Sequence, residues 1–135
     1  MGEFQNLLKT EGRLSEILRP EDFAPADGWA NRLAEELGGD LKTTQLRKLF
    51  NIIKAIDRTL KGEDEEGELR GDVREKLTML IPELAYAAGR KVIPREFYGM
   101  MCDLLDGEKL STVGDFRRLV QFLTAFLAYH KLYEG

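Results

Sequence analysis

A chain of 135 residues, 43% apolar and 33% charged, carries enough apolar side chains for one folded domain and too many for a disordered one. Its formal net charge of -4 excludes a surface that is cationic throughout but leaves room for a local basic face. The single Cys102 rules out an internal disulfide and any cysteine-based metal cluster, and the opening MGEFQNLLKTEG lacks the basic-then-apolar order of a secretory leader, so a cytoplasmic protein is expected.

Residues 3 to 19 place Phe4, Leu7 and Leu8, then Leu14, Ile17 and Leu18, at helical spacing on either side of Gly12. One frayed helix or two short pieces are expected, held only by docking. The stretch PEDFAPADG at 20 to 28 reads as a linker rich in proline and acid, with Asp27 as a cap for the next helix. Trp29, Leu33 and Leu37, with Ala30 and Ala34 beside them, predict that helix, and Gly38 and Gly39 end it. The first 37 residues hold eight acids and four bases, which does not suit a polyanion.

The sign reverses at residue 40. Between Asp40 and Gly62 there are six bases and two acids, a local charge of +4. Thr43 or Thr44 marks a helix start, and Leu46, Leu49, Phe50, Ile53, Ile56 and Leu60 form its buried face. Arg47, Lys54, Arg58 and Lys61 fall within about 60° of one another on a helical wheel, a cationic ridge on an acidic protein. GEDEEGELRG at 62 to 71 then reads as a flexible, solvated acidic connector.

Asp72 opens the next helix, with Glu75 completing a capping-box pattern and Val73, Leu77, Leu80 and Ile81 on its apolar face. Pro82 either kinks this helix or starts a second piece that ends at Gly89. Arg90, Lys91 and Arg95 come next without an intervening acid, and Pro94 suits the first turn of a helix built on Phe97, Met100, Met101, Leu104 and Leu105.

The last segment, Asp115 to Tyr133, contains neither Pro nor Gly. Phe116, Leu119, Val120, Leu123, Phe126, Leu127 and His130 recur at steps of three and four, and Phe122, Tyr129 and Tyr133 widen the apolar arc. Such a helix belongs at the centre of a fold, with Arg117, Gln121, Thr124, Ala128 and Lys131 on its wet side. Thr112 and Asp115 form a second capping-box pattern ahead of it. No sustained alternation marks a strand, so the fold class is all-α: a compact bundle of about five helices with a largely buried C-terminal helix, in a single helical domain spanning 1–135.

Catalytic chemistry finds little to work with. His130 is the only histidine and reads as packed, no phosphate-cradling glycine loop is present, and the acidic run from Glu63 to Glu66 repels itself in solvent. No catalytic residue, metal ligand or cofactor is expected. The ridge, extended by Arg90, Lys91 and Arg95 and by Arg117, Arg118 and Lys131, instead suits phosphates. With no exposed aromatic platform evident, that binding is expected to be non-specific.

Three blocks carry a family resemblance. TTQLRKLFNIIKAI at Thr43–Ile56, LAYAAGR at Leu84–Arg90 and FLTAFLAYHKLY at Phe122–Tyr133, in this order and spacing, resemble the small subunit of the type III-A CRISPR interference complex, the Csm complex. The likeness covers about residues 40 to 133 and leaves 1–38 as a variable N-terminal segment. It implies a non-catalytic helical subunit, stacked in several copies along the guide RNA–target RNA duplex, contacting the backbone and large subunits and further copies of itself, with no membrane. It also implies Arg47, Lys48, Lys54, Arg90 and Lys131 as RNA-facing residues, and Tyr86 and Tyr129 as residues that hold the fold. Glu83, beside Pro82, stands where the family often has a base. With Arg58 and Lys61 from the wheel and Lys91 and Arg117 from the neighbouring basic stretches, the expected RNA-binding set is Arg47, Lys48, Lys54, Arg58, Lys61, Arg90, Lys91, Arg117 and Lys131. A purely protein-binding helical adaptor and a small RNase using His130 are the rival readings.

Overall fold

The computed structural model describes residues 2–134, which form eight α-helices and no strand. They are α1 (Gly2–Leu8), α2 (Leu14–Ile17), α3 (Pro20–Phe23), α4 (Trp29–Leu37), α5 (Thr43–Thr59), α6 (Gly71–Gly89), α7 (Arg95–Leu104) and α8 (Val113–His130). The count exceeds the expected five because the N-terminal region contributes three short helices. Helices of four residues do not persist on propensity alone. Here Phe4, Leu8, Leu14, Leu18 and Phe23 are each essentially sealed from solvent, so docking holds them.

The supposed linker at 20 to 28 is therefore part of the core. Phe23 meets Phe122 edge-on with ring centroids 5.4 Å apart. Gly28 lets the chain turn closely under α3, since a Cβ there would lie 2.8 Å from the carbonyl oxygen of Asp22.

α8 is the axis. It packs against α4 most extensively, then α5, α2 and α3, while α6 rests on α7. Phe116, Leu119, Phe122, Leu123, Phe126 and His130 are buried along it, while Gln121, Thr124, Ala128 and Lys131 face solvent, as the wheel predicts. Phe122 stacks on Phe4 at 5.3 Å, and Phe126 lies between Phe97 at 5.9 Å and His130 at 6.3 Å.

The capping box at Thr112 is formed. Thr112 Oγ1 accepts from Asp115 N at 3.2 Å, and Asp115 Oδ2 accepts from Thr112 N at 2.9 Å. The other expected caps are not: α4 starts after Gly28, α5 after Lys42 and α6 after Arg70, each without a side-chain cap. In these helices the buried face outweighs the roughly 0.5–2 kcal/mol that a cap contributes.

α6 runs unbroken through Pro82. A proline inside a helix lacks the N–H that would bond four residues back, at a cost of about 3 kcal/mol relative to alanine. Pro82 is exposed, so its ring contributes little packing. Pro82→Ala is expected to raise the unfolding midpoint by several degrees in a thermal melt; a lower midpoint would show that the proline's shape is needed in α6. None of the described helices is long and apolar enough to cross a membrane.

Candidate nucleic-acid interface

The candidate surface is built on α5. Leu46, Leu49, Ile53, Ile56 and Leu60 are buried, and that fixes the helix rotation. Arg47, Arg58 and Lys61 then stand exposed on the opposite side, with Lys54 between them and half-buried. Among the described residues the side chains of Arg47, Lys48, Arg58 and Lys61 make no ion pair or hydrogen bond. Lys54 has only a loose neighbour, Asp57, at 4.0 Å. Unpaired cations on one helix face keep their full charge for an anionic ligand.

A groove of about 510 Å³ opens between α5 and α6, on a different side of α5 from the ridge. Leu49, Ile52, Leu80, Leu84 and Ala87 supply its apolar walls, and Lys48 on α5 and Arg90 at the end of α6 both border it. Arg90 is exposed, with its guanidinium carbon 5.6 Å from the centroid of the Tyr86 ring. Lys91 comes next in the left-handed region at φ 64°, which turns the chain sharply after α6 and leaves the Lys91 side chain in solvent. Thus the structure brings Lys48 and Arg90, far apart in sequence, to the two lips of one groove.

Tyr86 differs from its sequence reading. It does not hold the fold: it is 69% exposed, and an aromatic face is present on this surface after all. Tyr129 does hold the fold, its hydroxyl donating to the Ala24 carbonyl at 2.5 Å.

Arg117 also departs from its expected place. Its Nη2 donates to the carbonyls of Leu60 at 3.3 Å and Glu63 at 3.0 Å, and its Nη1 lies 3.3 Å from Glu65 Oε1. It is a staple that secures the acidic loop, not a free cation. Arg118 is similarly committed, donating to the carbonyls of Ser15 at 3.0 Å and Leu18 at 2.8 Å. The acidic connector is accordingly anchored. Gly114 N donates to Glu65 O and Val113 N to Gly67 O, both at 2.9 Å, and Arg70 pairs with Glu63 at 2.7 Å.

Lys131 is exposed but engaged, with Nζ 2.6 Å from Glu134 Oε1. The hydrogen bond from Lys131, with another from Thr43, holds the Glu134 carboxyl below its usual range. Lys131 therefore meets any phosphate in competition with a carboxylate. His130 is buried, stacked on Phe126, with Nε2 3.2 Å from the Gly38 carbonyl oxygen. In that position the imidazole is sealed from solvent, as a packed histidine is. Among the described residues no cluster of three or more His, Cys, Asp or Glu converges as metal ligands.

Sequence reasoning missed the groove. Ile52 and Met79 lie outside the apolar faces that periodicity assigns to their helices, yet both line it. The available signal was the spacing of Tyr86 and Arg90, four apart on one helix face.

The family model Csm2 Type III-A matches residues 21–135. No curated protein and no solved structure matches the chain.

Proposed function

This chain belongs to the Csm2 Type III-A family and is a structural subunit of a type III-A effector complex, and on that premise we propose that its task there is to position RNA through the α5 ridge. The observation that carries the reading is the row of exposed cations at Arg47, Arg58 and Lys61, which make no ion pair or hydrogen bond among the described residues of a chain of net charge -4, with Lys48 and Arg90 exposed at the groove. A protein that keeps such a row unneutralised directs its positive field at a ligand with regularly spaced negative charge. Lys54 lies within the row, and Lys91, exposed after α6, and Lys131, paired with Glu134, are further candidates for phosphate contact.

In this reading the subunit is non-catalytic. Several copies lie along the guide RNA–target RNA duplex, and each contacts the backbone and large subunits and its neighbouring copies. Phosphate contacts of this kind set position and carry little sequence information, so affinity is expected to be nearly independent of base order.

The test is fluorescence anisotropy of labelled single-stranded and guide–target duplex RNA between about 50 and 300 mM salt. The triple variant Arg47→Ala/Lys54→Ala/Arg58→Ala is expected to weaken binding to every sequence alike. For single strands its log–log salt slope should shrink by about 2, a fraction of one counterion for each cation removed. Unchanged affinity, in the chain and in the reconstituted complex, would assign the ridge to protein contacts instead. A loss confined to one sequence would contradict positioning by phosphates.

A further inference from the structure

Tyr86 is placed where the fold gives it nothing to do. It lies on α6 between Leu84 and Ala88, both buried, yet 69% of it is exposed. Among the described residues its hydroxyl makes no hydrogen bond. Its one close relation is with Arg90, whose guanidinium carbon sits 5.6 Å from the ring centroid. Arg90 in turn has no carboxylate partner among the described residues. The ring borders the α5–α6 groove, and Lys48 faces it from the other lip.

We infer that Tyr86 is a stacking platform for an unpaired base of single-stranded RNA, with Arg90 and Lys48 holding the phosphates on either side of it. The inference rests on the RNA-positioning reading above, in which the ridge meets phosphates of the duplex, and adds a second contact, to an unpaired stretch of the RNA, with the residue that makes it.

Three features supply the chemistry. An aromatic face in water accepts the face of any base, so it binds without reading sequence. The guanidinium over the ring adds a planar cation, able to stack on a base and to pair with its phosphate. The apolar groove wall at Ile52, Met79 and Ala87 gives the inner edge of a stacked base a dry surface. A duplex satisfies none of this, because its bases are already stacked and paired.

The charge of the site decides between RNA and a protein partner. Lys48 and Arg90 stand at opposite lips, and among the described residues Glu83 is the one acid lining the groove. A chain with one negative charge per residue complements both lips wherever it enters. A peptide helix would need acids spaced to meet each of them. The groove is a second surface: at 100° per residue Lys48 lies about 100° and Ile52 about 140° round α5 from Arg47, so the groove opens on a different side of the helix from the ridge.

The experiment uses the full chain, a labelled oligouridylate and an RNA duplex of equal length, with the variants Tyr86→Leu and Tyr86→Phe. Tyr86 is exposed and unbonded, so both variants are expected to fold, and a circular dichroism melt checks it. Tyr86→Leu should raise the single-strand Kd roughly 5- to 100-fold, leave duplex binding unchanged and leave the salt slope unchanged, since no cation is removed. Tyr86→Phe should bind the single strand like the wild type. Wild-type single-strand affinity in Tyr86→Leu overturns the platform, as does an equal loss of strand and duplex. If RNA binding stays intact while Tyr86→Leu weakens assembly with the other subunits, the groove is a protein seat and the platform also falls. The ridge is judged separately: retained affinity in the Arg47/Lys54/Arg58 triple variant together with a loss in Tyr86→Leu would sink the ridge and keep the platform. A folded chain that binds neither RNA at about 50 mM salt, alone or in the complex, overturns both.

Discussion

Phe122→Ala is expected to cost about 3–5 kcal/mol, lowering the thermal midpoint by roughly 10 °C or more. Phe122 is fully buried and touches three other rings: Phe4 at 5.3 Å, Phe23 at 5.4 Å and Phe126 at 6.2 Å. Two of these partners belong to α1 and α3, helices too short to persist alone. Removing the ring therefore opens a cavity and also releases the N-terminal region from α8. Faster proteolysis within 1–28 should accompany the lower midpoint. Phe126→Ala is expected to cost a similar amount, since Phe126 is also fully buried, but without the proteolytic signature, because its ring neighbours Phe97, Phe122 and His130 lie on α7 and α8 and none on α1 to α3. A midpoint shift of under a couple of degrees for either variant would show that α8 is not the axis of the core.

Asp115→Ala is the second large effect. The side chain is fully buried and receives four hydrogen bonds: from Ser15 N at 3.0 Å and Ser15 Oγ at 2.5 Å, and from Ser111 N at 3.0 Å and Thr112 N at 2.9 Å. One carboxylate thus caps α8 and ties α2 to it. Truncation takes the acceptor from the buried Thr112 N–H and from the part-buried donors of Ser15 and Ser111, a loss of about 3–5 kcal/mol. Burial acts to raise the Asp115 carboxyl, and the hydrogen bonds from Ser15, Thr112 and Ser111 outweigh it, holding the group below its ordinary value. A carboxylate with a depressed folded-state value contributes stability that is complete above about pH 4 and is lost as pH falls through the folded value. Acid titration of the wild type should therefore show a fall in stability below about pH 4 that Asp115→Asn blunts. An equal acid dependence in Asp115→Asn would place the titrating group elsewhere.

Much of this protein is legible from local pattern. Periodicity fixes the direction of each side chain about its own helix axis, and that suffices for the α5 ridge, the apolar arc of α8 and the wet row Gln121, Thr124, Ala128 and Lys131. The Thr112–Asp115 cap is legible for the same reason: its partners lie within one turn. The family blocks, too, are local strings. Periodicity cannot supply which face of a helix another helix will cover. α6 rests on α7 and leaves its Tyr86 side open toward α5, so a residue that reads as packing in the sequence is surface in the fold.

The remaining differences share that origin. Arg117 reads as one more cation until the chain brings the carbonyls of Leu60 and Glu63 beneath it, and Asp115 reads as a cap alone until Ser15 arrives from the other end of the chain. The short helices α1 to α3 are below the length at which a helix sustains itself, so only their docking onto α8 and its neighbours gives them structure. The helical class, the central helix and the cationic row are all written in the order of the amino acids, because each is set by residues within a few positions of one another. Which cations stay free, and which aromatic ring faces the solvent, is settled by packing, because both depend on contacts between segments tens of residues apart.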